Sequence, residues 1–93
     1  MNNIQTQISL ALPELKSRYS IDQMAIFGSQ ARGDATAESD VDILVSFNGS
    51  VGIEFIDLAD ELDILLGKKV DLITMESLKP RQWDYLKNQL VYI

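Results

Sequence analysis

Three aspartates and one Gly-Ser pair are the residues of this chain whose types and spacing best suit chemistry. Gly28-Ser29 is followed, after ten residues, by Asp40-Val41-Asp42, and Asp71 stands further on between Val70 and Leu72. Side chains on a strand alternate sides, so Asp40 and Asp42 share a face with their Cα atoms roughly 6.6 to 7 Å apart. Two anions so placed repel each other and are costly to bury unless a positive charge lies between them. A hard divalent cation meets that need, because Mg²⁺ takes oxygen ligands and commonly combines one or two carboxylates with waters and substrate phosphates. The plainer alternative is that Asp40 caps the strand and Asp42 faces water from a sheet edge, the ordinary fate of an isolated Asp-X-Asp.

The residues upstream weigh against the plainer alternative. Gly28 and Ser29 follow a predicted strand and precede a short helical stretch around Gln30 to Arg32, a junction where backbone N–H groups and the helix dipole can receive a phosphate. Glycine permits close backbone approach, and the Ser29 hydroxyl can add a hydrogen bond. Arg32 has two readings: a fork of donors for a phosphate oxygen, or a surface ion pair with Asp34 or Glu38. Gly33 most simply turns the chain. Asp71 also has two readings, an edge position or a place beside the other carboxylates. If its strand pairs next to the Asp40 to Phe47 segment, three carboxylates can hold two Mg²⁺ ions about 3.5 to 4 Å apart, and Asp71 can help deprotonate an attacking hydroxyl.

The elements that must position these residues are legible from periodicity. Ile4, Ile8, Ala11 and Leu12 recur at helical spacing, and Pro13 is expected to start a second short helix, "PELKSRY", rather than to sit inside the first. Met24–Phe27 reads as a buried strand stopped by Gly28, Val41–Phe47 as a second strand, and Asn48 to Ser50 as a turn. From Val51 a helix is expected with Ile53, Ile56, Ala59, Leu62 and Leu66 inward and Asp57, Asp60, Glu61 and Asp63 largely outward, closed by Gly67 with Lys68 and Lys69 at its negative end. Val70–Thr74 is a third strand. The closing segment is expected to be one helix, with Trp83, Leu86 and Leu90 inward and Tyr85 and Tyr92 sharing another face. The order predicts an α/β (α+β) fold, a small mixed sheet flanked by helices in a single domain over residues 1–93.

Composition narrows the chemistry. The 93 residues carry 8 Lys and Arg against 14 Asp and Glu, a net charge of −6, which disfavours a surface that grips long nucleic acid through its phosphates. There is no histidine and no cysteine, so imidazole catalysis, His-ligated zinc, thiolate chemistry and disulfides are excluded and carboxylates remain. No stretch reaches the roughly 20 apolar residues of a membrane span, and the polar start MNNIQTQ lacks the form of a signal peptide; the expected location is the cytoplasm.

Gly28-Ser29, ten residues and Asp40-Val41-Asp42, within the texture "IFGS…ARGD…SDVDILV", resemble the GS-X10-DXD signature of minimal nucleotidyltransferases of the DNA polymerase β superfamily. Val70-Asp71-Leu72 is similar to the segment on which that superfamily often carries its third carboxylate, and the resemblance covers nearly the whole chain. It implies Mg²⁺ dependence and transfer of a nucleoside monophosphate from a triphosphate such as ATP to a hydroxyl. Gly28 and Ser29 would hold the triphosphate, Asp40 and Asp42 both metals, and Asp71 the catalytic metal. Free-standing members of this length are similar to antitoxins that partner a HEPN-domain toxin and add AMP to one of its tyrosines. A member that neutralises its partner by binding alone is the competing expectation, and the pair Tyr85 and Tyr92 would suit a contact patch. A structural Ca²⁺ site is the weakest reading, since the acids lack EF-hand spacing and leave Gly28-Ser29 without a role.

Overall fold

The computed structural model describes residues 3–49 and 52–93. Helix α1 (Asn3–Tyr19) leads into strand β1 (Ile21–Phe27), the short helix α2 (Ser29–Arg32), strand β2 (Val41–Phe47), helix α3 (Glu54–Leu66) and strand β3 (Val70–Thr74). A single 3-10 turn (Met75–Ser77), helix α4 (Pro80–Leu86) and strand β4 (Val91–Tyr92) complete the chain. The strands form one mixed sheet in the order β3-β2-β1-β4. β1 is antiparallel to both β2 and β4, whereas β2 and β3 are parallel and are joined through α3. Among the described residues no helix is long and apolar enough to cross a membrane.

One face of the sheet makes the main core. Val41, Ile43, Val45 and Phe47 from β2 meet Ile4, Ile8, Leu12 and Leu15 of α1 and Leu58, Leu62 and Leu66 of α3. Each fully buried side chain of this size contributes about 1.5–3 kcal/mol from burial. β1 joins the same core through Ile21, Met24 and Ile26, a spacing that strict alternation would not allow. The register shift between Ile21 and Gln23 supplies the extra residue, as a bulge does. At the outer end of the layer Tyr19 Oη donates to Glu61 Oε2 at 2.8 Å, and Arg18 pairs with the same carboxylate, joining α1 to α3.

The expected sheet-and-helix architecture is present, with four local corrections. Pro13 lies inside one continuous helix instead of starting a second. Pro13 and Ser9, whose carbonyl loses its usual partner, are both on the exposed side, where water can satisfy the freed acceptor. β1 begins at Ile21, three residues ahead of the expected start. In α3 the inward stripe is Phe55, Leu58, Ala59, Leu62 and Leu66, while Ile53 and Ile56 are 71% and 59% exposed. The helix has apolar residues on more than one side, and only the sheet decides which stripe is covered. Finally, the closing segment is a seven-residue helix and a strand. Ile93 N donates to Met24 O at 3.0 Å, so the β-forming run Val91-Tyr92-Ile93 takes up the open edge of β1 in place of extending α4. Leu86 is buried as expected, but Trp83 is 37% exposed, Leu90 lies beyond the helix, and Tyr85 and Tyr92 share no helical face. Of the turn expected at Asn48 to Ser50, Ser50 lies outside the described residues, as does Val51.

Candidate active site

Asp42 is the second residue of β2 and stands at the centre of the site. The ladder pairs it with Phe27 on β1 and with Asp71 on β3. Paired residues of a parallel ladder turn to the same side, so Asp42 and Asp71 share the sheet face away from Val41 and Ile43, which point into the core. Asp40 lies two residues ahead on the approach to β2 and is exposed. The alternation of the strands keeps Asp42 and Asp71 off the apolar face and pairs them on the other, with Asp40 just ahead of β2.

Gly28 comes directly after Phe27 and therefore beside Asp42. Its backbone has φ 72° and ψ −148°, a combination essentially restricted to glycine. A Cβ placed there would lie 2.4 Å from Asp42 Oδ2, so a side chain is excluded by contact as well as by conformation. The Gly28 carbonyl accepts from the amides of Ala31 at 3.1 Å and Arg32 at 3.0 Å, which turns the chain at once into α2 with Ser29 as its first residue. Gly33 closes that turn in the left-handed region, as expected for a glycine at a helix end.

The electrostatics follow from the crowding. The Asp42 carboxyl is pushed above the ordinary carboxylate range, first by partial burial, then by the charges of Asp71 and Asp40, with the Arg32 guanidinium opposing them. Of the two readings of Arg32 the structure shows the ion pair: its Nε donates to Asp34 Oδ2 at 3.2 Å, an exposed contact, while its charge is also felt at Asp42.

A half-buried carboxylate held among other carboxylates is the donor set that a hard divalent cation relieves, and these oxygens fit Mg²⁺. Among the described residues no three such side chains stand together as a group that could hold an ion unaided.

Surrounding contacts hold the aspartates in register. Val41 N donates to Lys69 O at 3.0 Å, and Lys68 Nζ donates to Ala37 O at 2.9 Å, tying the loop before β2 to the end of α3. Thr36 and Ser39 bond to each other within that loop. Asp63, expected on the outer side of α3, instead accepts from Val70 N at 2.7 Å and so anchors the strand that carries Asp71. The nearest hint in the sequence was an acid one turn ahead of Gly67, but nothing local assigned it a strand amide. A hollow of about 480 Å³ lined by Phe55, Leu72, Ile73 and Thr74 includes none of Gly28, Ser29, Asp40, Asp42 and Asp71.

Known proteins share the fold and sequence of this chain. Residues 8–93 match the family model described as a nucleotidyltransferase domain. The chain is 35% identical to the protein adenylyltransferase MntA of Thermococcus cleftensis, covering 100% of this chain and 95% of that one. It is 31% identical to a solved structure provisionally described as a minimal nucleotidyltransferase, with a TM-score of 0.80 and coverage of 95% and 93% of the two chains. It also shares its fold with a chain from a complex of tri-AMPylated Shewanella oneidensis HEPN toxin and MNT antitoxin, at 21% identity and a TM-score of 0.71, covering 96% of this chain and 70% of that one. The sheet that sets Gly28 against Asp42, the match over residues 8–93 and the full-length likeness together place this chain in the nucleotidyltransferase domain family, as a nucleotidyltransferase.

Proposed function

We propose that this protein is an antitoxin that transfers AMP from ATP to a hydroxyl, a tyrosine, of a HEPN-domain toxin and thereby silences it. The observation that carries the reading is the contact between Gly28 and the Asp42 carboxylate, with Asp71 paired beside it. That contact joins a backbone cradle to a carboxylate face. The adenylyltransferase name of the Thermococcus relative and the HEPN–MNT complex among the structural neighbours support the choice of ATP and of partner.

Asp40, Asp42 and Asp71 would hold two Mg²⁺ ions, which when bound neutralise the triphosphate and make the acceptor hydroxyl a better nucleophile. Gly28 brings its backbone against the triphosphate, Ser29 donates its hydroxyl to a phosphate oxygen, and Arg32 adds a cation. The acceptor oxygen bonds to the α-phosphorus, the bond between the α-phosphorus and its bridging oxygen breaks, and pyrophosphate leaves. Asp71 takes the hydroxyl proton. The two halves of the site lie on opposite sides of Asp42, with Gly28 on the β1 side and Asp71 on the β3 side, which suits an in-line displacement. The reaction belongs in the cytoplasm, where ATP and such a partner meet.

A second reading, neutralisation by binding alone, has its own observation. Ile53, Ile56 and Ile64 leave apolar surface on and beside α3 outside the core. One experiment separates the two. The protein and a HEPN-domain partner are incubated with ATP and Mg²⁺ and weighed by intact-protein mass spectrometry. A gain of one or more AMP units on the partner, absent with Asp42→Asn or with chelator, is the expected result. A tight complex of unchanged mass, with ATP and with the other triphosphates, would establish occlusion instead.

A further inference from the structure

The two lysines between α3 and β3 have different surroundings. Lys68 is committed to the Ala37 carbonyl. Lys69 is exposed, and among the described residues it forms no ion pair, although the ladder runs on through it: its carbonyl accepts from Val41 N at 3.0 Å. With Val41 paired to Val70 and Asp42 to Asp71, one step back along the parallel register sets Lys69 alongside Asp40. Lys69 immediately precedes β3, and the strand's alternation carried back by that one residue would give it the same facing as Asp71 and the opposite facing from Val70, which is buried in the core. The carboxylate face therefore carries one cation on its β3 flank, across Asp42 from Gly28 and Ser29.

Position decides what this cation meets. If the triphosphate lies at Gly28-Ser29, the leaving pyrophosphate is on the β1 side of Asp42 and the attacking hydroxyl arrives from the β3 side. A lysine on that flank is placed for the acceptor and not for the triphosphate.

We infer that Lys69 contacts the acceptor side of the reaction, its ammonium donating a hydrogen bond to the attacking oxygen and orienting it toward the α-phosphorus. The inference rests on the nucleotidyl-transfer reading above. The ammonium keeps its proton throughout, the hydroxyl proton leaves to Asp71, and no further reactant is needed.

The test is steady-state AMP transfer to the HEPN-domain partner, varying ATP and partner separately, with Lys69→Met, Lys69→Arg and, as control, Lys87→Met, whose ammonium pairs with Asp84 beside α4. Lys69→Met is expected to lower kcat/KM for the partner by about tenfold to a hundredfold, the scale on which acceptor misorientation acts. Its KM for ATP should be unchanged and its melting temperature equal to that of the wild type. Lys69→Arg, which keeps the charge in a different shape, should recover part of the loss. Ser29→Ala should show the converse pattern, a raised KM for ATP. A Lys69→Met enzyme with normal partner kinetics overturns the inference and leaves the transferase reading intact. So does one whose defect lies wholly in KM for ATP, since that moves the cation to the nucleotide. Wild-type protein that transfers nothing from any triphosphate removes both.

Discussion

Replacing Gly28 by alanine tests the link between cradle and carboxylate most directly. The added methyl carbon would lie 2.4 Å from Asp42 Oδ2, about 1 Å short of the 3.4 Å at which ordinary contact begins. Ladders on both sides fix the Asp42 backbone, so the carboxylate has to yield by turning about its own side-chain bonds, which moves the oxygen from its place beside Gly28. Backbone strain adds to this, since φ 72° with ψ −148° costs a non-glycine residue about 1–3 kcal/mol. For a domain of this size each kcal/mol lowers the melting temperature by about 4–8 °C. A displacement of about 1 Å at a reacting group costs roughly a hundredfold in rate. Gly28→Ala should therefore melt about 5–20 °C lower and, assayed by partner mass well below that temperature, transfer AMP about a hundredfold more slowly. Circular dichroism at the assay temperature establishes how much is folded. A folded Gly28→Ala protein with transfer within a few-fold of wild type would refute the reasoning, because it would mean that the Asp42 carboxylate can move 1 Å without consequence.

Asp42→Asn should abolish transfer while the metal-free protein melts no lower than wild type, since burial and two neighbouring charges already disfavour the ionised carboxyl in the folded state; differential scanning calorimetry at neutral pH checks this. Tyr19→Phe removes the 2.8 Å bond to Glu61 and should cost about 1 kcal/mol in urea unfolding, with transfer unaffected. Hydrogen bonds from Arg18 and then Tyr19 hold the Glu61 carboxyl below its usual range. A lowered folded-state value stabilises the protein above the unfolded one, so the deficit of Tyr19→Phe should shrink as pH falls below roughly 4. Pro13→Ala restores a helical amide to Ser9 and should raise stability by about 1–3 kcal/mol, read as a higher urea midpoint.

The central strands and the common facing of Asp42 and Asp71 were legible in the sequence for a physical reason: both are written in short local patterns, which a strand converts directly into faces. Val41 to Phe47 and Val70 to Thr74 are short runs rich in apolar residues, each carrying one aspartate, and Gly67 marks its own stop. What failed to show depended on contacts that only the folded arrangement makes. The buried side of α3 was settled by the sheet it lies on, not by its own apolar residues. Val91 to Ile93 became a strand because β1 had an open edge to offer. Asp63 acquired its role only when Val70 was brought within 2.7 Å. The likeness of Gly28-Ser29 to a phosphate cradle was readable, but its contact with Asp42 needed the antiparallel register of β1 and β2.

The sheet order has a mechanical consequence for the two paired aspartates. Asp42 sits on an inner strand, clamped by β1 and β3, whereas Asp71 sits on β3, which ends the sheet and is hydrogen-bonded along one side. A strand gripped from both sides resists displacement, and one gripped from a single side can give by small amounts at little cost. Asp42 is thus the fixed reference of the site and Asp71 its compliant jaw. On the proposed reaction, such a site would adjust to the width of its acceptor at Asp71 without moving the carboxylate beside Gly28.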